Sequence, residues 1–392
     1  VIPDTDSAYV TKVNPVRHRL WKKRSPLLES LDLELTERCN NNCIHCCINL
    51  PMEDDGARPR ELTTIAIKEI LSQAAALGAL SIRFTGGEPL LREDFIDLYL
   101  HARRLGLKVL LFTNARLITS ELADLFGRIP PLVKIEVTVY GLKPESYEAV
   151  SRVPGSYEEF RRGIGRLQER NVPFVVKGAL LPPNLAEMEA FEAWAATLPG
   201  MDKPPGYSMF FDLRGRRDSW VKNRLIQSLR LKPEDGIALL KRRGDAYLKE
   251  MGEFCAKFMG PSGDRLFSCG AGDKPCVDAY GMLQPCLQLR HPEMAFDLLN
   301  SSLKDALTNY FPRLRGETKA LNPDYLARCA RCFLKGLCEQ CPAKSWTEHG
   351  TLDTPVEYLC RVAHVKAMDL GLLRAGECAW EIANWERRIA RI

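Results

Sequence analysis

The placement of fourteen cysteines constrains this chain more than any other feature. Cys39, Cys43, Cys46 and Cys47 crowd together near the front. More than two hundred residues then pass without a cysteine, and the rest follow from Cys255 onward. A disulfide framework distributes its pairs and accompanies export, whereas Val1–Ser7 is polar and acidic rather than a signal peptide. Clustered thiols without export point to metal ligands and a reducing cytoplasm.

The 392 residues, 45% hydrophobic and 27% charged, suit an ordinary protein of about two domains with a sizeable core. The net charge of +5 is spread along the chain. Its basic runs, Lys22-Lys23-Arg24 and Arg214 to Arg217, are short and read as solvated faces rather than a nucleic-acid surface. No apolar run approaches the roughly 18 to 20 residues that span a membrane.

Strand-like and helix-like segments alternate over residues 31–212. Strands are expected at Leu31–Leu35, Leu80–Phe84, Leu107–Thr113, Val133–Tyr140, Pro173–Leu181 and Tyr207–Leu213. Amphipathic helices are expected at Glu61–Leu77, Glu93–Leu105, Ser120–Phe126, Tyr157–Arg170 and Leu185–Leu198. Six such units predict an α/β fold, a partial (β/α)6 TIM-like barrel. Chemistry in such sheets gathers at the carboxyl ends of strands. Cys39 follows the first strand, Thr85-Gly86-Gly87-Glu88 the second and Asn114 the third. A polar stretch, Arg214 to Arg230, and a helix near Asp235–Glu250 lead into a small irregular cysteine-rich domain. The expected division is an extension over 1–30, the barrel over 31–232, the cysteine-rich domain over 233–375 and a helical tail over 376–392.

Cys39-Asn-Asn-Asn-Cys43-Ile-His-Cys46 places three thiolates in one post-strand loop. Thiolates are soft ligands for iron–sulfur clusters or zinc. A closed site takes four ligands, so three leave one iron open to bind and reduce a substrate. A zinc loop completed by His45 or Cys47 is the structural alternative.

The C-x3-C-x2-C spacing, followed by Gly86-Gly87-Glu88-Pro89, resembles the radical S-adenosylmethionine (SAM) superfamily over nearly all of residues 31–212. That resemblance implies a [4Fe–4S] cluster on Cys39, Cys43 and Cys46 that cleaves SAM to a 5′-deoxyadenosyl radical. It implies that Gly86, Gly87, Glu88 and Pro89 hold the methionyl amino group, the glycines permitting close approach to the ligand. It places Thr138 at the ribose, Arg152 at the methionine carboxylate, and Thr113 and Asn114 at the polar rim.

The second field contains Cys269, Cys276, Cys286, Cys329, Cys332, Cys338, Cys341 and Cys360, enough thiolates for two four-iron clusters. Spacing alone leaves structural zinc open. Behind a radical SAM barrel the pattern resembles the SPASM extension of peptide and protein maturases. The resemblance implies a first auxiliary cluster on Cys269, Cys276, Cys286 and Cys341 and a second on Cys329, Cys332, Cys338 and Cys360. Two residues, Glu339 and Gln340, separate Cys338 from Cys341 where the usual spacing is three, which touches the partition between the clusters. Without Cys276, which the core pattern does not require, the first cluster has an open iron. Cys255 and Cys378 are expected to be structural.

The implied function is a peptide maturase that makes an oxidative crosslink or related side-chain change. Its expected partners are a leader-bearing peptide and a flavodoxin- or ferredoxin-type donor. About 30 residues precede the first strand, fewer than the roughly 80 of a leader-binding module, so a separate small leader-binding protein is expected. An anaerobic sulfatase-maturing enzyme is a second reading, although Leu287 stands after Cys286 where those enzymes have Asp, and Asp278 is out of register. Tetrapyrrole or other small-molecule modification is a third. A non-catalytic iron–sulfur carrier is a fourth, and it has no need of the open triad with GGEP.

Overall fold

The computed structural model describes residues 27–338 and 341–390. The runs Lys22-Lys23-Arg24 and Glu339-Gln340 and most of the 1–30 extension lie outside the described residues.

In β1 (Ser30–Thr36) the buried Leu31, Leu33 and Leu35 alternate with Asp32, Glu34 and Thr36. A period of two sends the leucines outward against helices and the polar residues into the barrel. The unit then repeats: α1 (Thr64–Ala76), β2 (Ser81–Gly86), α2 (Phe95–Arg104), β3 (Lys108–Thr113), α3 (Ser120–Arg128), β4 (Leu132–Val139), α4 (Pro144–Ser151), α5 (Ser156–Glu169), β5 (Phe174–Ala179), α6 (Met188–Ala195) and β6 (Gly206–Ser208). Strands β1 to β6 pair in parallel and in chain order. In α1 the buried Ile67, Ile70, Leu71 and Ala74 form one stripe facing the sheet. Thr63 caps that helix by accepting a hydrogen bond from Ala66 N.

Beyond β6 come α7 (Trp220–Leu229), α8 (Pro233–Lys241) and α9 (Asp245–Phe258). The single helix expected near Asp235–Glu250 is two, because Gly244 breaks it with φ 55°. The stretch expected to be merely polar contains α7, started by Ser219, whose hydroxyl accepts from Lys222 N. The last barrel strand is also shorter than Tyr207–Leu213. Its partner β5 ends at Ala179, opposite Ser208, so residues 209–213 have no ladder to join.

The cysteine-rich region adds β7 (Cys276–Val277), β8 (Met282–Gln284) and β9 (Phe296–Asp297), strands the sequence reading did not identify. β7 pairs in parallel with the free edge of β1, and β8 and β9 follow in antiparallel. One nine-stranded sheet therefore runs β9-β8-β7-β1-β2-β3-β4-β5-β6. Helices α10 (Phe311–Glu317), α11 (Pro342–His349) and α12 (Glu357–Asp369) complete the region. In the expected helical tail the described residues form only short pieces, Ala379–Glu381 and the five-residue helix Trp385–Ile389. No helix among the described residues is long and apolar enough to cross a membrane.

Candidate active site

The loop that begins at Cys39 is gripped from four directions. Arg38–Cys39 pairs with Leu50–Pro51 in a two-residue parallel ladder. Asn42 N and Ile44 N donate to Ser151 O (2.9 Å) and Val150 O (3.0 Å) at the end of α4. Arg116 donates to Asn40 O, to Asn41 Oδ1 (2.6 Å) and to Glu159 (2.8 Å). Arg214 reaches from beyond β6 to Cys46 O (3.4 Å) and Asn49 O (3.3 Å).

Inside this frame Cys39 and Cys43 are buried and Cys46 half-buried. The backbone N–H of Asn41 donates to Cys39 Sγ and that of Asn49 to Cys46 Sγ, each at 3.4 Å, which favours sulfur carrying negative charge. Burial first, then Glu88 and the neighbouring thiols, raises the Cys39 pKa well above the usual thiol range. Burial and Cys46 push Cys43 up to about 12. Thiols so placed ionise when iron supplies the compensating charge, and the N–H donors fit that state. His45 does not join them. Its ring packs against Tyr140 (5.9 Å) and Phe211 (5.1 Å), and burial lowers its pKa to about 4. Cys47 turns toward a cavity beside the loop.

The glycines at the end of β2 pack tightly against the chain that leads into the cluster loop. A Cβ on Gly86, where φ is +127°, would lie 2.1 Å from Thr36 O, and one on Gly87 would lie 2.2 Å from Arg38 O. The space a Cβ would take is thus filled by the chain's own backbone leading into Cys39. Gly87 N and Glu88 N donate to those same carbonyls, at 2.7 and 3.0 Å. Glu88 is fully buried and accepts from Thr113 Oγ1 (2.8 Å), Asn114 N (2.8 Å) and Leu90 N (3.2 Å), which ties the acid to the end of β3. Burial nevertheless raises its pKa to about 7. Pro89 opens a short buried turn. Asn114 Nδ2 donates to Asn40 Oδ1 (2.7 Å) at the head of the loop. Thr138 shares the lumen face of β4 with Glu136. Arg152 is exposed at the left-handed end of α4, with φ 59°.

The later thiols fall into two groups. Cys269, Cys286 and Cys341 are near enough to perturb one another, and burial pushes Cys341 up to about 12. Cys329, Cys332, Cys338 and Cys360 line one cavity. Burial, with the neighbouring thiols adding to it, pushes Cys329 to about 11 and Cys332 to about 12. Cys276 stands apart: its Sγ lies 3.7 Å from Arg290 Nη2, against the buried Arg290–Glu34 ion pair of 2.5 Å.

An inner cavity of about 430 Å³ opens at the strand ends. Glu34, Lys177 and Asp212 line it from the barrel, Cys47 from the loop, and Leu287, Arg290 and Lys344 from the cysteine-rich region. Its charges are paired: Lys344 with Asp212, Arg216 with Glu37, and Lys177 with Glu136 (2.6 Å) while its ammonium rests 3.8 Å over the Phe112 ring. Burial, with Glu37 and Asp278 adding to it against Arg290, raises the Glu34 pKa to about 7. Glu34 Oε2 accepts no hydrogen bond among the described residues. Asp278 is occupied with its own turn, accepting from Tyr280 N (2.9 Å) and Met282 N (3.0 Å). The wall is shared with an outer cavity of about 570 Å³, where Phe210, Phe211, Tyr247 and Met251 make an apolar side. These lumen residues escaped the sequence reading, although the period-two polar positions Asp32, Glu34, Arg83, Thr85, Glu136 and Thr138 signalled an inward polar face.

Residues 33–195 match the family model of the Radical SAM superfamily. The chain carries a radical SAM domain. It is an enzyme that binds SAM and an iron–sulfur cluster. The AdoMet-dependent heme synthase of Methanosarcina barkeri is 25% identical over 81% of this chain and 92% of its own length. The PqqA peptide cyclase of Rhodopseudomonas palustris is 32% identical over 39% of this chain and 40% of its own. Beyond the radical SAM domain the likeness is one of fold. The solved structure of anSMEcpe with bound AdoMet aligns at a TM-score of 0.61 and 16% identity, covering 86% of this chain and 96% of that one. Streptococcus suis SuiB bound to its precursor peptide SuiA aligns at 0.58 and 17%, covering 85% and 76%.

Proposed function

We propose that this radical SAM enzyme oxidatively modifies a side chain of a ribosomally made peptide. One observation carries the reading. The inner cavity lies between the Cys39–Cys46 loop, which it meets at Cys47, and the segments flanking Cys286 and Cys341, which it meets at Leu287 and Lys344. A substrate there has the radical source on one side and a second set of thiols on the other, the arrangement a net oxidation needs. The outer cavity leaves room for an extended chain behind the reacting residue.

In this reading Cys39, Cys43 and Cys46 hold the SAM cluster. Cys269, Cys286 and Cys341 hold a first auxiliary cluster, and Cys329, Cys332, Cys338 and Cys360 a second, making three [4Fe–4S] centres. Residues 31–232 form the radical domain and 233–375 the auxiliary-cluster domain. A cluster held by these three thiolates would supply the single electron that reductive cleavage of SAM requires. Gly86 and Gly87 clamp the loop, and Glu88 fixes Thr113 and Asn114 at the polar rim beside it. Thr138 and Arg152 are the candidate contacts for the ribose and the carboxylate. Glu34, a cavity-lining acid with its Oε2 unpartnered among the described residues, accepts the proton that the substrate loses as its second electron leaves. The partners are a leader-bearing peptide and a protein electron donor. The peptides named with anSMEcpe and SuiB support the substrate class.

The test is anaerobic reconstitution with SAM and dithionite. 5′-Deoxyadenosine should form, Cys39→Ser should abolish it, and a candidate precursor peptide should lose two hydrogens by mass spectrometry. A second reading, tetrapyrrole modification, is favoured by the heme synthase relative matched over 92% of its length and by the apolar side of the outer cavity. Turnover of an iron coproporphyrin with no change in any peptide would establish it instead.

A further inference from the structure

Helix α7 turns an apolar stripe outward beside the cluster loop. Trp220, Val221 and Leu225 are 68%, 60% and 41% exposed, while Ile226 is fully buried and anchors the helix. Neighbouring exposed apolar side chains mark interaction sites. The Arg224 guanidinium lies 5.1 Å from the Trp220 ring centroid, and Trp and Arg are residue types that dominate interface energetics. The helix carries Lys222 and Arg224 and no carboxylate.

The same helix touches the loop. Lys222 Nζ donates to Asn49 Oδ1 (2.7 Å) and Asn42 Oδ1 (3.4 Å). Asn49 N in turn donates to Cys46 Sγ. Asn42 is exposed, and its N–H bonds Ser151 O, next to the exposed cation Arg152. The side chains of Lys222 and Asn49 and the Asn49 amide therefore link α7 to the Cys46 thiol. Cys46 and Cys47 also line the outer cavity, while α7, with its exposed apolar stripe, reaches the same Cys46 through Asn49.

We propose that the Trp220–Val221–Leu225 face of α7, with Arg224 at its margin, docks a small acidic one-electron carrier protein bearing a flavin or an iron–sulfur centre. The inference rests on reading the Cys39–Cys46 loop as the SAM cluster site. In the step served, the carrier loses one electron and the cluster gains it, and no atoms move. Charge selects this occupant. Cations at the rim of an apolar patch attract carboxylates, whereas a second copy would bring Arg224 against itself.

The test uses the full reconstituted chain and two reductants, the hydroquinone of a bacterial flavodoxin and dithionite. In stopped flow, Trp220→Ala/Leu225→Ala should lower the rate of cluster reduction by flavodoxin about tenfold. Arg224→Glu should slow it more at low salt than at high salt. Reduction by dithionite, and dithionite-driven 5′-deoxyadenosine release, should stay as in the wild type. Unchanged flavodoxin rates in both variants overturn the proposal. So does a wild-type dimer that the double variant splits in sedimentation with donor rates intact, which would assign the face to a second copy. A wild type that releases no 5′-deoxyadenosine with dithionite strikes the cluster reading itself, and the docking proposal falls with it.

Discussion

Glu34 and Cys276 are neighbours in the lumen with opposite chemical prospects. Glu34 has a free oxygen, a cavity in front of it and a pKa raised to about 7, the properties of a general base near neutrality. A base works deprotonated, so product formation should rise as pH climbs through about 7, while 5′-deoxyadenosine release need not follow it. Glu34→Gln should cut product at least about a hundredfold and flatten that profile, as seen by quantifying modified substrate against 5′-deoxyadenosine. Cys276 is fully buried with its Sγ against Arg290, and it is not among the thiols that perturb Cys269 and Cys341. Cys276→Ala should therefore retain the iron of the first auxiliary site, and Cys286→Ala should lose it, by iron analysis and electron paramagnetic resonance.

At the scale of elements, the end of β2 is a clamp on the cluster loop. Gly86 and Gly87 exist as glycines because Thr36 O and Arg38 O occupy the space a Cβ would take. Gly87→Ala must push the backbone of Arg38 aside, at a cost of roughly 3 kcal/mol. The adjoining Cys39 moves with it. The expected outcome is a lower thermal midpoint and selective loss of iron from the N-terminal site, with the auxiliary iron retained. Glu88 completes the clamp from the other side by joining the β2 end to Thr113 and Asn114.

Across the whole molecule, barrel and cysteine-rich region share one sheet, because β7 fills the edge of β1. Further ties cross the same boundary: Arg290 to Glu34, Trp346 Nε1 to Gly215 O (2.9 Å) and Arg217 to Trp346 O (2.7 Å). Residues 27–260 alone would present β1 as an open edge with Glu34 unpaired in the lumen, a double cost in pairing and desolvation. Such a fragment should elute as aggregate in size exclusion, whereas the full chain should run as a defined species. The inner cavity has the same dependence, since Leu287, Arg290 and Lys344 line it together with Cys47.

The sequence by itself determined the strand–helix alternation, the outward apolar stripes and the three-thiol loop at the end of β1, since each is a short-range pattern in which neighbours along the chain decide the outcome. Only the tertiary structure decided that Gly86 and Gly87 make room for backbone, that β7 to β9 extend the barrel sheet and that Cys276 faces Glu34. Those facts depend on contacts between segments far apart in the chain, such as Arg290 with Glu34 and Arg214 with Cys46. Local spacing holds no record of which distant carboxylate or carbonyl will fill a given space, because packing density and the desolvation of buried charge are settled only when the whole fold closes.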